Sequence, residues 1–130
     1  MPISLHHLLV VASDREATAT YLADLLELPH PWEDGPFLAL TLDDGVVVNV
    51  AAPPVEEVQP QHYAFLVDDD LFDRVRTRFD ADGTEYSADP ARQRLGQVGE
   101  VNDDGTGRRI YWFGPDRHML EILTARYAEA

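Results

Sequence analysis

The chain has 130 residues, 45% of them hydrophobic, which is typical of one globular domain with a sizeable core. Its 24 acidic and 10 basic residues give a formal net charge of −14, which disfavours binding to nucleic acid or to an anionic membrane. Cysteine is absent, so disulfides and thiolate ligands are excluded, and the lack of a signal-like or membrane-spanning run predicts a cytoplasmic protein.

The first predicted element is a strand over residues 5–11, where apolar side chains alternate. This alternation places His7 and Leu9 on one face. His6 falls on the opposite face, where we expect it to lie beneath a helix. This arrangement leaves His7 available for chemistry on the face away from the helix.

A helix and a hairpin follow the first strand. Ser13 begins a capping box, and the helix is predicted to continue to about Glu27. The residues expected on its buried face are Ala17, Tyr21, Leu22, Leu25 and Leu26. Strands over 37–42 and 46–51 are predicted to form a hairpin.

The second half of the chain repeats this order. A strand over 61–67 precedes a helix that ends before Gly83, with a buried stripe formed by Leu71, Phe72, Val75 and Phe79. The remaining predicted elements are a short strand over 84–86, a loop over 87–107, and closing strands over 109–113 and 118–124. The long loop has poor periodicity and is interpreted as a functional lid. We expect His118, beside the closing turn, to be exposed.

The sequence therefore predicts a single α+β domain built from two βαβββ modules. The first module spans about residues 3–52, and the second spans about 61–125. A polar, proline-rich connector over 53–60 joins them.

Three residues able to bind a metal stand at corresponding points of this repeat. His7 precedes Asp14 by seven residues, and His62 precedes Asp69 by seven residues. Glu121 alternates with apolar residues on the last strand, where an unpaired carboxylate would be costly. Two imidazoles and one carboxylate suit a divalent ion with open coordination positions, and Fe, Mn, Zn and Ni all fit this ligand set.

These motifs resemble the vicinal-oxygen-chelate superfamily, which includes glyoxalases, bleomycin-resistance proteins and extradiol dioxygenases. The resemblance extends from Leu5 to about Tyr127. It implies the glyoxalase/bleomycin resistance/dihydroxybiphenyl dioxygenase fold, a cup-shaped mixed sheet with the helices outside. It also implies that His7, His62 and Glu121 hold one divalent metal ion inside the cup.

The closing strand carries the rest of the resemblance. The superfamily pattern Tyr-x-x-Asp-Pro-Asp-Gly-x-x-x-Glu is matched from Tyr111 to Glu121, with Gly114 and Arg117 departing from it at turn positions. The resemblance places Tyr111 near the substrate as the candidate catalytic residue. It also implies a homodimer that exchanges modules. Because of the acidic net charge, we expect no nucleic-acid or membrane partner.

The implied function is that of a metal-dependent enzyme whose small substrate chelates the metal through adjacent oxygens. Asn49 stands where lactoylglutathione lyases have a fourth ligand, which disfavours that activity. A set of three ligands instead resembles extradiol dioxygenases, although Asn102, Asp103 and Asp104 stand near the place of their acid–base histidine. Fosfomycin-modifying transferases are similar too and would need basic residues inside the cup, for which Arg92, Arg94, Arg108 and Arg109 are available.

The alternative function is that of a drug-binding protein. Bleomycin-resistance members of the same superfamily sequester cationic drugs without a metal. The net charge of −14 fits that interpretation. The three metal-binding residues would have no purpose in it.

Overall fold

The computed structural model describes residues 2–128, which form two compact units divided between Gln59 and Pro60. Each unit contains one four-stranded mixed sheet and one long helix, so the chain has the predicted α+β fold of two βαβββ modules. No helix among the described residues is long and apolar enough to cross a membrane.

The first unit consists of four strands and one helix. Their bounds are β1 (His7–Val11), α1 (Arg15–Leu25), β2 (Trp32–Asp34), β3 (Phe37–Thr41) and β4 (Val47–Ala51). The strand order in the sheet is β1-β4-β3-β2. Only the pairing of β1 with β4 is parallel.

The two faces of β1 differ in burial as the alternation predicts. Val10 is 2% exposed and belongs to the core, whereas Leu9 is 47% exposed on the other face. Helix α1 packs on β3 and β4, and its buried residues include Leu22 and Leu25 as predicted. The prediction for Ala17 was wrong, because this residue is exposed in the first turn of the helix. The prediction for His6 was wrong, because β1 begins only at His7 and His6 is exposed rather than covered by the helix.

The ends of α1 differ from the prediction. Asp14 caps the helix, its carboxylate accepting the Ala17 N–H at 3.0 Å, so Ser13 is not the N-cap. At the other end the helix stops at Leu25, because Glu27 adopts a left-handed conformation with φ 55°. The Leu28 N–H then donates to the Ala23 carbonyl at 2.9 Å and closes the helix.

The second unit repeats the topology of the first. Its elements are β5 (His62–Leu66), α2 (Asp69–Asp82), β6 (Gly99–Glu100), β7 (Arg108–Phe113), a 3₁₀ turn (Pro115–Arg117) and β8 (Met119–Leu123). The strand order is β5-β8-β7-β6, and the pairing of β5 with β8 is again the parallel one.

Helix α2 ends before Gly83 as the sequence predicts, and its start is capped by Asp68. The Asp68 carboxylate accepts the Leu71 N–H at 2.8 Å, and Gly83 closes the helix with φ 81°. Its buried stripe includes Phe79, whose ring lies edge-on to Trp112 of β7 at 5.1 Å between centroids. The sheet of this unit therefore has one face covered by α2, and β7 turns its odd-numbered residues to the opposite face.

The segment after α2 departs from the prediction. Residues 84–86 are not a strand, and the edge strand of the sheet is instead β6, inside the predicted loop. Ser87 bridges to Tyr111, each accepting the other's backbone N–H at 2.9 Å. The polar segment around Ser87 is thus held to the sheet by backbone hydrogen bonds. Side-chain alternation does not predict such bonds, because they depend only on the main chain.

Candidate metal centre

Register brings two of the predicted ligands together on one face of the second sheet. Glu121 in β8 pairs with Ala64 of β5 on one side and with Tyr111 of β7 on the other. His62 lies two residues before Ala64, and its Nε2 is 3.0 Å from Glu121 Oε1. The parallel pairing of β5 with β8 therefore creates this contact between residues distant in sequence.

The backbone fixes the orientation of the His62 ring. His62 Nδ1 lies 3.0 Å from the Met119 carbonyl oxygen, which can only accept, so Nδ1 carries a proton and donates it. Nε2 is thereby the nitrogen directed at Glu121. Metal-binding histidines are commonly held in this way, with one ring nitrogen donating to a carbonyl and the other facing the ion.

Glu121 is a buried carboxylate with one oxygen that lacks a hydrogen-bond partner. The residue is 1% exposed, and while Oε1 contacts His62, Oε2 is buried and has no hydrogen-bond partner. Burying a charged oxygen without a partner is costly, and a bound cation would remove that cost. The donor set of imidazole Nε2 and carboxylate oxygens therefore fits a divalent metal ion.

Tyr111 lies beside this pair. Its ring stacks on the His62 ring with 5.9 Å between centroids and 27° between planes. Burial, followed by the negative charge of Glu121, raises the pKa of Tyr111, so the phenol keeps its proton at neutral pH. The structure thus places the predicted catalytic residue next to two of the predicted ligands.

The third predicted ligand, His7, belongs to the first unit. It is exposed at the start of β1, and its Nδ1 lies 2.9 Å from His6 Nδ1. Among residues 2–128, no three His, Cys, Asp or Glu side chains lie together as a complete metal site. His62 and Glu121 therefore form part of a ligand set, to which His7 remains a predicted addition.

The repeat gives His7 the same setting in its unit as His62 has in the other. Leu9 pairs with Asn49 across β1 and β4, as Ala64 pairs with Glu121 across β5 and β8. His7 stands two residues before Leu9. Asn49 is thus the counterpart of Glu121, and it too is buried, with Oδ1 lacking a partner.

His118 was predicted to be exposed, and this prediction was wrong. It is 2% exposed, and its Nδ1 accepts the Gln61 N–H at 2.9 Å. Its ring also contacts the edge of Tyr63 at 5.4 Å. His118 therefore positions the start of β5, one residue before His62, and no local signal in the sequence indicates this contact.

The residues near the expected acid–base position have structural contacts. The Asn102 side chain donates to the Arg126 carbonyl at 3.0 Å and accepts the Ala128 N–H at 2.7 Å. Asp104 accepts the Thr106 N–H at 2.9 Å within a turn. Both residues thus stabilise the chain locally.

Comparison with known proteins gives two close structural matches. No family model and no curated protein match the chain. It is 42% identical to the solved structure of a protein named oxidase ChaP-H1, covering 96% of this chain and 98% of that one, with a TM-score of 0.87. Oxidase ChaP-H2 is 40% identical, with coverages of 99% and 98% and a TM-score of 0.88.

More distant structures have the same fold. A glyoxalase/dioxygenase from Nostoc punctiforme is 22% identical, covers 95% of this chain and 91% of its own, and gives a TM-score of 0.67. Because these two relatives are at least 40% identical to it along nearly its whole length, the chain belongs to the same family as the two oxidases, and its fold is that of the vicinal-oxygen-chelate superfamily.

Proposed function

We propose that this protein is a metal-dependent oxygen-using enzyme, an oxidase or an extradiol-type dioxygenase. Its substrate is a small molecule that chelates the metal through two adjacent oxygens. When bound, a divalent ion supplies stabilisation of the substrate's oxyanion and, if it is a redox metal, electrons for chemistry with dioxygen. Two relatives that are 42% and 40% identical to this chain and are named oxidases support this reaction class.

The observation that carries the proposal is the buried carboxylate of Glu121. Its Oε2 has no partner although the residue is 1% exposed, and Oε1 faces the imidazole of His62 at 3.0 Å. If the role of this position were only structural, an apolar residue would give a more stable fold than a buried carboxylate. The pair is therefore best explained as a binding site for a cation.

Each residue of the site has its own part in this proposal. His62 and Glu121 hold the ion, and the Met119 carbonyl keeps His62 Nε2 directed at it. Tyr111 keeps its proton and would donate a hydrogen bond to a substrate oxygen that gains negative charge. The absence of cysteine supports a cytoplasmic location for this activity.

His7 completes the proposed ligand set, and a homodimer with exchanged modules would supply it from the partner chain. The exposed face of β1 supports an interface there, because Leu9 is 47% exposed. A proline-rich connector between the modules is long and polar enough to permit the exchange.

Calorimetry on the metal-loaded and metal-free protein tests the proposal. Catechol and an α-hydroxyketone both offer adjacent oxygens, so we expect each to bind only to the metal-loaded form. Oxygen consumption with the same compounds then reports turnover. Equal binding to both forms would contradict a chelating substrate.

The alternative of a drug-binding protein is favoured by the net charge of −14. A cationic drug held by carboxylates would bind equally well to the metal-free protein and would weaken with added salt. Titration with a bleomycin-like cation therefore distinguishes the two functions. Metal-independent, salt-sensitive binding without any response to catechol would favour sequestration.

A further inference from the structure

Arg109 is a cation without a carboxylate partner in a strongly acidic protein. By contrast, Arg108 contacts Asp69 and Asp73 at 2.8 Å each, and Arg92 contacts Glu85. Arg109 forms no ion pair within residues 2–128, and its Nε is buried without a hydrogen-bond partner. An unmet buried donor of this kind calls for an explanation.

The position of Arg109 connects it with the metal centre. Alternation along β7 places Arg109 and Tyr111 on the same face of the sheet. The guanidinium carbon of Arg109 lies 5.7 Å from the centre of the Tyr111 ring. Arg108, its neighbour in sequence, points to the helix side, where its guanidinium carbon lies 4.4 Å from the centre of the Phe72 ring.

The same face carries more positive charge at the far end of β7. The Phe113 ring has the guanidinium carbon of Arg92 at 4.9 Å and that of Arg117 at 4.6 Å from its centre. Both arginines adopt a left-handed backbone conformation with φ 60°, which costs energy for a residue other than glycine. Arg109 and Arg117, together with Arg92, which is paired with Glu85, thus place guanidinium groups near the face that carries Glu121.

We propose that Arg109 is the subsite for an anionic oxygen group of the substrate, a carboxylate or a phenolate. The inference rests on the proposed function, since it assigns the substrate of that same site as an anion. The planar guanidinium group can bind a planar anionic oxygen group through two hydrogen bonds. A bound anion would accept a hydrogen bond from Arg109 Nε, which has no partner among residues 2–128. The Tyr111 ring beside it offers a flat surface for the aromatic part of such a substrate.

Nuclear magnetic resonance of the metal-free protein tests this subsite directly. The buried Nε–H of Arg109 gives a resonance that is assigned by its loss in Arg109→Lys. Benzoate and 4-nitrophenolate are the anionic probes, and benzamide is the neutral probe matched to benzoate. We expect a saturable shift of the Arg109 resonance with at least one anion and none with benzamide. No saturable shift with either anion, or an equal shift with benzamide, would overturn the subsite.

Variants add a second readout. Arg109→Gln should weaken binding of the responding anion by about tenfold or more, which corresponds to losing one charge-assisted hydrogen bond. Arg109→Lys keeps the charge and should retain part of the affinity, which guards against a folding defect in the first variant. Arg78→Gln makes the same charge change at an exposed position on α2 and should leave binding unchanged.

Metal content separates this inference from the proposed function. Arg109→Gln should retain the metal stoichiometry of the unaltered protein, because Arg109 is not a ligand. Loss of metal in this variant, with anion binding unchanged, would mean that Arg109 only balances the charge of Glu121. If the unaltered protein binds no metal, the proposed function fails while the anion titration still decides the subsite.

Discussion

The Glu121 side chain is a buried carboxylate, and one of its oxygens has no hydrogen-bond partner among the described residues. Its neighbours in register are the apolar Ala64 and the aromatic Tyr111, and neither neutralises a carboxylate. Stability alone would select an uncharged residue at this position. The cost of keeping the acid therefore argues for a function that needs its charge.

The substitution Glu121→Gln separates stability from metal binding. We expect the metal-free variant to be as stable as the metal-free unaltered protein or more stable, by about 1 kcal/mol, because a buried charge is removed. Added divalent metal should raise the melting temperature of the unaltered protein only. Thermal denaturation with and without metal measures both effects.

Glu100→Gln is the control for this comparison. Glu100 is exposed on β6, so the same chemical change should alter neither stability nor the response to metal. A metal-dependent rise in melting temperature in Glu121→Gln equal to that of the unaltered protein would contradict a ligand role for Glu121.

Among the secondary-structure elements, helix α1 ends with a strained backbone conformation that a substitution can relieve. Glu27 occupies the left-handed position after the helix, where glycine is preferred, and its negative charge is near the negative end of the helix dipole. Glu27→Gly should therefore stabilise the protein by about 0.5–1 kcal/mol. Urea denaturation measures the change.

Ala17→Gly provides the matched control for the helix. Ala17 is exposed within α1, where the backbone is helical, so glycine there should destabilise the protein by about 0.5–1 kcal/mol. Destabilisation by Glu27→Gly of similar size would contradict the left-handed conformation of Glu27.

The loop after α2 should respond to pH through Asp89. The hydrogen bond from Ser87 Oγ, with the backbone N–H groups of Gln93 and Arg94, lowers the pKa of Asp89. A carboxyl whose pKa is lowered by folding stabilises the protein above its ordinary pKa. This stabilisation is lost as the pH falls through the lowered value.

We therefore expect Asp89→Asn to be less stable than the unaltered protein at neutral pH. The difference should stay constant down to about pH 5 and shrink as the pH falls below about 4. Chemical denaturation at a series of pH values measures it. A difference that is independent of pH down to strongly acidic conditions would contradict the role of the Asp89 charge.

Strand alternation and helix caps predicted the elements with strong local signals. The faces of β1, the stripe of α2 and its end at Gly83 followed from apolar spacing and from glycine chemistry. The edge strands β2 and β6 were missed because they are two or three residues long and lack alternation. Their pairing depends on the strands beside them.

The candidate site was predictable where it follows from the internal repeat. His62 was identified from the repeated His-to-Asp spacing, and Glu121 from its alternation with apolar residues and from the resemblance. The structure brings His62 Nε2 and Glu121 Oε1 within 3.0 Å of each other, and their role as metal ligands stays a prediction. The burial of His118 and the unmatched Arg109 were not predictable, since both depend on residues far away in sequence. His7 belongs to the other unit, and its part in the site stays a prediction.

For the whole molecule, a mixing experiment tests the proposed exchange of modules. His7→Ala and Glu121→Ala chains each lack one proposed ligand. If modules are exchanged between chains, a mixed dimer has one site with both defects and one site with none. Co-refolding the two variants should then restore up to about one metal per mixed dimer. Sites built within single chains would recover none.

Metal analysis of protein purified without chelators or a histidine tag tests the central claim most directly. The account predicts one divalent ion per chain in the unaltered protein and its loss in His62→Ala, with the fold retained by circular dichroism. His30→Ala removes an exposed histidine and should retain the metal. An unaltered protein without stoichiometric metal, or a His62→Ala variant that retains it, would contradict the account.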